Sequence, residues 1–424
     1  MIEEGIEEVS SEYAGFCVLK NTRSPYAPGF GQIPAVLAGR DRVLGAIDRA
    51  VHAAASQDGG ASTLVVVAPR GLGKTVILAE AARRAGERYG WPRVRLEMTG
   101  PQGVDESFVR ETARALALVE QEPPARPRWQ QATLGGSVAG FGAQVTVRPP
   151  EQNPPTPSDA LLGLVDATAR GGTGVLITID EAQTASRELA RVAVALQLAS
   201  ERGWPVVTVV AGLPTVRSER KLPTYFERAQ WHELKMLSPQ ETLRALVEPA
   251  RQAGRGFEDV AAKYLALNTS GYPYAIQLVG DAAWAAAGEG ETIDVETARL
   301  GLQEARRQLD EGLHAERWAQ ATPRERIYLT ALAELGKERG HAQVTGAMVA
   351  QRLGGKASQY SVVRDRLIRQ GTLFSSGRTQ LAFVVPSLGG YILERQADPL
   401  TERSGWEAVA AEWDLPESPM RESG

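Results

Sequence analysis

The chain has a single cysteine, Cys17, among 424 residues. That excludes an internal disulfide framework, and one thiol cannot build a cysteine zinc site alone. Its four histidines, His52, His232, His314 and His341, are scattered with no ligand spacing. No apolar run approaches the roughly 20 residues that a membrane span requires. The start, Met1-Ile-Glu-Glu-Gly-Ile-Glu-Glu8, has neither a basic region nor an apolar stretch, so no secretory signal is expected and a cytoplasmic location is. Bulk charge is also small: the net value of -4 gives the whole molecule no general attraction to polyanions. No repeat of fixed period appears. What remains is an ordinary globular composition, 43% hydrophobic and 23% charged, in a chain long enough for two or three separate cores.

Charge is distributed unevenly. Residues 1–12 carry five glutamates and no Lys or Arg, and residues 396–424 hold seven acidic side chains against two basic ones. Residues 323–395 hold eleven basic and five acidic, a local net of +6. Acidic tails therefore flank a basic C-terminal stretch.

The most informative segment is Ala68-Pro69-Arg70-Gly71-Leu72-Gly73-Lys74-Thr75. An apolar, β-branched run, Ser62 to Val67, precedes it, and good helix formers from Val76 follow. Strand, Gly-rich turn and helix is the context of a phosphate-binding loop. The loop from Pro69 to Val76 would wrap the phosphate oxygens, its backbone N–H groups from Arg70 onward donating to them with help from the helix N-terminus. Lys74 would reach the β/γ-phosphates and the Thr75 hydroxyl would hold Mg²⁺. The strict pattern has Gly where Ala68 stands.

Candidate strands at 62–68, 92–98, 174–180, 205–212 and 231–236 alternate with helical stretches at 74–88, 104–119, 158–170 and 185–203. Such alternation predicts an α/β fold, a parallel sheet covered by helices on both faces. Ligands then bind at the carboxyl ends of the strands. Residues 121–157 break the rhythm with two proline-rich stretches around a Gly-rich segment, read as a hairpin insertion or a disordered loop. From Ser238-Pro-Gln-Glu241, a capping box, the pattern becomes all helix near 238–252, 257–268, 272–287 and 294–316. Thr322-Pro-Arg-Glu325 repeats the start signal and opens another domain.

The apolar run Val175-Leu-Ile-Thr-Ile-Asp180-Glu181 ends in two carboxylates. After a phosphate loop, such a pair predicts Asp180 in the Mg²⁺ shell and Glu181 polarising an attacking water. Together the motifs imply Mg²⁺-ATP and hydrolysis to ADP and phosphate.

With these motifs the chain resembles, over roughly residues 20–395, an AAA+ P-loop ATPase of the origin-recognition-complex-like branch. Asn21-Thr-Arg-Ser-Pro-Tyr-Ala-Pro-Gly29 and Val36-Leu-Ala-Gly39-Arg40-Asp41 are similar to that branch's adenine-embracing lead-in. The resemblance implies an α/β nucleotide domain at 21–237, a helical lid at 238–318 and a winged helix-turn-helix domain at 319–397. It also implies an arginine offered to a neighbouring subunit, and so a homo-oligomer or a partner protein. Arg217, Arg220 and Arg228 are candidates, Arg228 foremost. The strand Val206 to Gly212 lacks the polar end residue that many relatives use to sense the γ-phosphate; Thr208 sits mid-strand. Ser270-Gly271-Tyr272-Pro273-Tyr274 stands where some relatives carry a lid arginine. Its Gly-x-Pro resembles switch-type signalling ATPases and puts Pro273 among the nucleotide contacts.

The basic stretch reads as helices at 323–336, 345–353 and 358–370, the last with Ser358 as N-cap. A two-stranded wing follows, with Leu373-Phe374 and Leu381 to Val385 as strands. Val363 and Leu367 form the inward stripe of the third helix. Gln359, Tyr360, Arg364, Arg366 and Arg369 are then outward candidates for phosphates and base edges of double-stranded DNA, with Lys356 before the helix and Arg378 on the wing touching the backbone. Protein contacts, an internal clamp or a regulator using ATP structurally are the alternatives.

Overall fold

The computed structural model describes residues 23–29, 31–56, 60–98, 103–121, 155–184, 188–218, 222–339, 344–376 and 380–397. Both acidic tails and nearly all of the 121–157 insertion lie outside the described residues, as do Arg220 and Arg378.

Five parallel strands form the central sheet in the order β2-β3-β4-β1-β5. They are β1 (Ser62–Val67), β2 (Arg93–Glu97), β3 (Val175–Asp180), β4 (Val206–Gly212) and β5 (Gln230–Glu233). The helices α1 (Asp41–Ala54), α2 (Lys74–Tyr89), α3 (Val104–Gln121), α4 (Pro157–Arg170), α5 (Leu189–Glu201) and the short α6 (Thr215–Ser218) surround it. Side chains alternate across each strand, so Leu64 and Val66 enter one apolar cluster and Val65 and Val67 another. Both faces of the sheet centre are thus dry, which is why β1, β3 and β4 read as continuous apolar runs. The parallel register seats Val67 beside Gly212 and Glu97 beside Asp180, bringing four strand ends to one edge.

Helices α7 (Pro239–Gln252), α8 (Asp259–Thr269), α9 (Pro273–Ala286) and α10 (Val295–Leu309) follow. Ser238 caps α7 by accepting from the Glu241 N–H, and Glu241 accepts from the Ser238 N–H at 2.7 Å, as the capping box predicts. A small parallel pair, β6 (Gly256–Phe257) with β7 (Thr292–Ile293), ties this segment together and has no sequence signal of its own. The single helix expected over 294–316 is broken. After α10 comes a π turn, Asp310–His314, and then α11 (Ala315–Gln320). Gly312 weakens the ladder there and the fully buried His314 anchors the bulge.

The C-terminal module holds α12 (Pro323–Arg339), α13 (Gly346–Arg352), α14 (Ser361–Arg369) and α15 (Leu388–Ala397), the last unforeseen. Strands β8 (Leu373–Ser376) and β9 (Gln380–Phe383) pair antiparallel before α15. The third helix begins differently from expectation. A 3-10 turn, Ala357–Tyr360, precedes α14; Ser358 lies inside that turn rather than at a cap, and its carbonyl accepts from the Ser361 hydroxyl. The module is not separate: its Tyr328, Leu332, Leu367 and Ile392 share one apolar cluster with Trp318 of α11, Leu64 and Val207 of the sheet and Ile77 of α2.

Candidate nucleotide site

The phosphate-binding loop joins β1 to α2. Ala68 at the strict-glycine position is fully buried and its N–H donates to the Gly212 carbonyl at 3.1 Å. It is not among the residues with positive φ, so a Cβ fits there without strain. The glycines that matter are Gly71 and Gly73, at φ +78° and +91°. Gly71 has a second constraint, because any Cβ would overlap the Tyr272 hydroxyl from the start of α9.

Lys74 is buried and its Nζ donates to the Pro69 carbonyl at 3.2 Å. Burial pushes its pKa down, Glu181 and Asp180 pull it up, and Arg70 adds to the lowering. The Thr75 hydroxyl donates to Asp180 Oδ2 at 2.7 Å, bringing together the two expected Mg²⁺ ligands. Among the described residues no cluster of three or more His, Cys, Asp or Glu could hold a metal. A Mg²⁺ held by one or two protein oxygens plus phosphate oxygens needs no such cluster, so the Thr75–Asp180 pair suits it.

Glu181 follows Asp180 in the left-handed region, at φ +54°, with its N–H donating to Asp180 Oδ1 at 2.8 Å. Gln183, missed in the sequence reading, donates from its amide to the Glu181 carboxylate and accepts from the Leu213 N–H at 3.0 Å. Its signal was the spacing Asp180-Glu181-Ala182-Gln183, which puts an amide two residues beyond the carboxylate.

A cavity of about 620 Å³ spans the sheet edge and α9, lined by Arg70 to Val76, Glu97, Glu181 and Pro273. On its far side the lead-in Ala27, Pro28 and Gly29 meets Ile276 and Gln277. Gln277 Oε1 accepts from the Ala27 N–H at 3.0 Å, and the buried Tyr26 hydroxyl donates to the Leu246 carbonyl. These clamps fix the expected lead-in against the helical segment.

Arg40 lines the cavity, and both it and Gly39 also have structural tasks. Arg40 spends its guanidinium on carbonyls, Leu72 at 3.0 Å and Lys235 at 3.1 Å, so it braces the loop from behind. Gly39, at φ +69°, makes the bend below Leu237 and Glu241, against which a Cβ would press. Arg228, on the short helical turn Thr224–Arg228, is exposed and does not line the cavity. Arg217 stacks over Trp231, 5.3 Å from the ring centroid.

A smaller cavity of about 270 Å³ lies between the loop and the C-terminal module, lined by Arg70, Gly71, Tyr272, Arg317, Gln370 and Thr372 among others. Arg70 also packs on Gly371, where an added Cβ would stand 3.4 Å from the Arg70 Cδ. Arg317 has an Nη1 with no hydrogen-bond partner among the described residues. Burial lowers its pKa against the raising effect of Tyr272, and burial pushes the Tyr272 hydroxyl up to about 12.

The expected DNA face is only partly outward. Lys356, Gln359, Arg366 and Arg369 are exposed, with the Gln359 side chain accepting from the Lys356 N–H at 2.7 Å. Tyr360 instead turns inward, donating to the Leu353 carbonyl beside Tyr328. Arg364 is half-buried and paired with Asp365 at 2.7 Å, and Arg366 pairs with the buried Glu325 at 3.2 Å. The tyrosine follows the third helix's late start, which rotates it onto the module core.

Residues 36–209 match the family described as AAA ATPase domain, and residues 311–392 match a domain of unknown function, DUF8462. No curated protein matches the chain in sequence. Among solved structures, the Walker-type ATPase PABY2304 of Pyrococcus abyssi is similar with a TM-score of 0.56 at 13% identity, covering 84% of this chain and 96% of that one. The ORC2 protein of Aeropyrum pernix, solved in ADPNP–ADP complexes, has a TM-score of 0.53 at 14% identity over 88% and 98%. At such identities the likeness is one of fold. The fold, the phosphate loop and the family match agree over one region: residues 36–209, which match the AAA ATPase domain, form the five-stranded parallel sheet with its phosphate-binding loop up to β4.

Proposed function

We propose that the chain is an ATP-hydrolysing switch that couples its nucleotide state to the grip of a C-terminal winged helix on duplex DNA. Residues 21–237 serve as nucleotide domain, 238–318 as lid and 319–397 as winged helix. The observation that carries the reading is the Thr75 hydroxyl on the Asp180 carboxylate at 2.7 Å, on the edge where Lys74 and Glu181 line one cavity. Loop N–H groups and Lys74 bind the β- and γ-phosphates. Thr75 and Asp180 would hold Mg²⁺, which when bound supplies charge neutralisation on the phosphates. Glu181 accepts the proton of the attacking water. Arg228, exposed and away from the cavity, suits supply to a neighbouring copy. Coupling to the C-terminal module is supported by Arg70, which belongs to the loop and packs on Gly371 at the end of α14.

Lys74→Ala is expected to abolish nucleotide binding, and Glu181→Gln to keep ATP while lowering turnover about a hundredfold or more to a residual rate. Wild-type ATP affinity in Lys74→Ala, measured by calorimetry, would overturn the site. Duplex binding is expected to weaken steeply with salt and to fall further in Lys356→Ala and Arg369→Ala.

A second reading is favoured by the inward Tyr360 and the paired Arg364 and Arg366. Here the C-terminal module acts as an internal clamp on the phosphate loop, as in a signalling switch, and meets protein rather than DNA. Absence of duplex binding at low salt would select it.

A further inference from the structure

We infer that Gln183 is the positioning residue for Glu181, joining its carboxylate to the end of β4 beside the phosphate loop. The inference rests on the reading of Glu181 as the base. The side-chain amide is used at both ends: Nε2 donates to the Glu181 carboxylate, and Oε1 accepts from the Leu213 N–H at 3.0 Å. A flipped amide would set carbonyl oxygen against carboxylate and N–H against N–H, so the orientation follows from the partners. Space for the bridge is made by Gly212, where a Cβ would stand 3.3 Å from Gln183 Oε1 and 2.8 Å from Val216.

The turn that presents Glu181 is itself over-determined. Its φ of +54° is unfavourable for a side chain of this size. The Thr184 N–H and hydroxyl both donate to the Glu181 carbonyl, at 3.0 and 2.6 Å. The Ala182 N–H donates to the Ala211 carbonyl at 3.0 Å. Backbone bonds therefore fix where the carboxylate starts, and Gln183 alone among these contacts fixes where it points. Gly212 also accepts from the Ala68 N–H at 3.1 Å, so a loop displaced by its ligand moves the strand end that Gln183 reads. The strand itself ends in Gly212 without a polar side chain. Gln183 brings an amide to that place from the neighbouring turn.

The test compares nucleotide affinity and turnover in Gln183→Ala, Gln183→Glu, Glu181→Gln and the double variant Gln183→Ala/Glu181→Gln. Gln183→Glu keeps the size and the acceptor for Leu213 but removes the donor to Glu181. Both Gln183 variants are expected to lower kcat about tenfold or more while ATP and ADP affinities stay within about twofold. In the Glu181→Gln background, Gln183→Ala is expected to add no further loss, because the two residues act as one unit. Wild-type kcat in Gln183→Glu would overturn the inference even if Gln183→Ala failed to fold. Equal losses from Gln183→Ala with and without Glu181 would overturn it also. Unchanged turnover in Glu181→Gln would instead overturn the reading of the base, and this inference with it.

Discussion

Gly71 concentrates two independent constraints on one atom that is missing. Its φ of +78° excludes most side chains, and the Tyr272 hydroxyl occupies the space a Cβ would need. Gly71→Ala is therefore expected to lose both loop geometry and the seating of α9 on the loop. A destabilisation on the order of 1–3 kcal/mol is expected, read as a lower Tm together with weakened ATP binding. Adding Tyr272→Ala should relieve the overlap but not the backbone strain, so Tm recovers in part and ATP affinity does not. The sequence made the first constraint legible, since glycine at that point of the loop follows from the motif. The second required the fold, because Tyr272 lies some 200 residues away and nothing local announces the approach. Ala68 shows the converse. The strict motif has Gly at this position, and the structure gives the alanine an ordinary backbone paired to Gly212, where a methyl group fits. Glu181 and Gln183 fall between these cases. Their types were readable, while the amide bridge depended on where β4 ends.

At the scale of elements, periodicity and caps served well wherever one local force dominated. Four of the five expected strands end within one residue of the observed ones: β1, β3 and β4 are apolar runs buried on both faces, and the edge strand β2 alternates exposed and buried residues with period two. The edge strand β5 was placed less well, since Gln230 to Glu233 is half exposed and carries no continuous apolar run. Thr322-Pro-Arg-Glu325 was legible as a helix start, and the Glu325 carboxylate accepts from the Thr322 N–H and hydroxyl, both at 2.8 Å. Its burial was not legible. Glu325 is 1% exposed and its charge is met by Arg366 of α14 at 3.2 Å. The pair thus holds α12 to α14 through an arginine that stays on the outward face, as expected, while its Nε reaches the buried carboxylate. Glu325→Ala removes a cap and leaves Arg366 without its carboxylate, so a loss on the order of 2–3 kcal/mol is expected in urea unfolding. Arg366→Ala leaves a buried carboxylate uncompensated and should cost about as much, although 53% of its side chain is exposed. If Arg366→Ala left stability unchanged and weakened only duplex binding, the pair would be a surface contact that does not hold α12 to α14.

Across the whole molecule, the joint between the helical segment and the C-terminal module depends on His314. It lies in the π turn, fully buried, with Nε2 at 2.9 Å from the Ser387 hydroxyl and its ring 5.5 Å from that of Tyr391 on α15. Nδ1 has no partner among the described residues, and the nearest carboxylate contact, Asp310, is 3.9 Å away. Burial therefore pushes the pKa down to about 4 from the ordinary 6.5, with Arg317 lowering it further. The folded form binds the imidazole neutral, whereas a released chain would protonate it near the ordinary value. His314 thus contributes stability that is complete above about pH 6.5 and is lost as pH falls toward 4, at most about 3 kcal/mol in all. The loss is expected first at this joint, because the group being charged lies between two parts of the molecule and not inside the sheet. Unfolding measured by tryptophan fluorescence between pH 7 and 4.5 should show a falling midpoint, with Trp318, four residues beyond His314, among the reporters. His314→Gln retains a group able to bond Ser387 and cannot take up the proton, so its midpoint should fall less over the same range. Equal slopes for both proteins would assign the acid sensitivity to carboxylates elsewhere. If nucleotide state and the C-terminal module are coupled through Arg70 and Gly371, the same acidification should lower ATP affinity in the wild type more than in His314→Gln. The joint and the phosphate loop share one apolar cluster, and a loosened α15 would withdraw part of it.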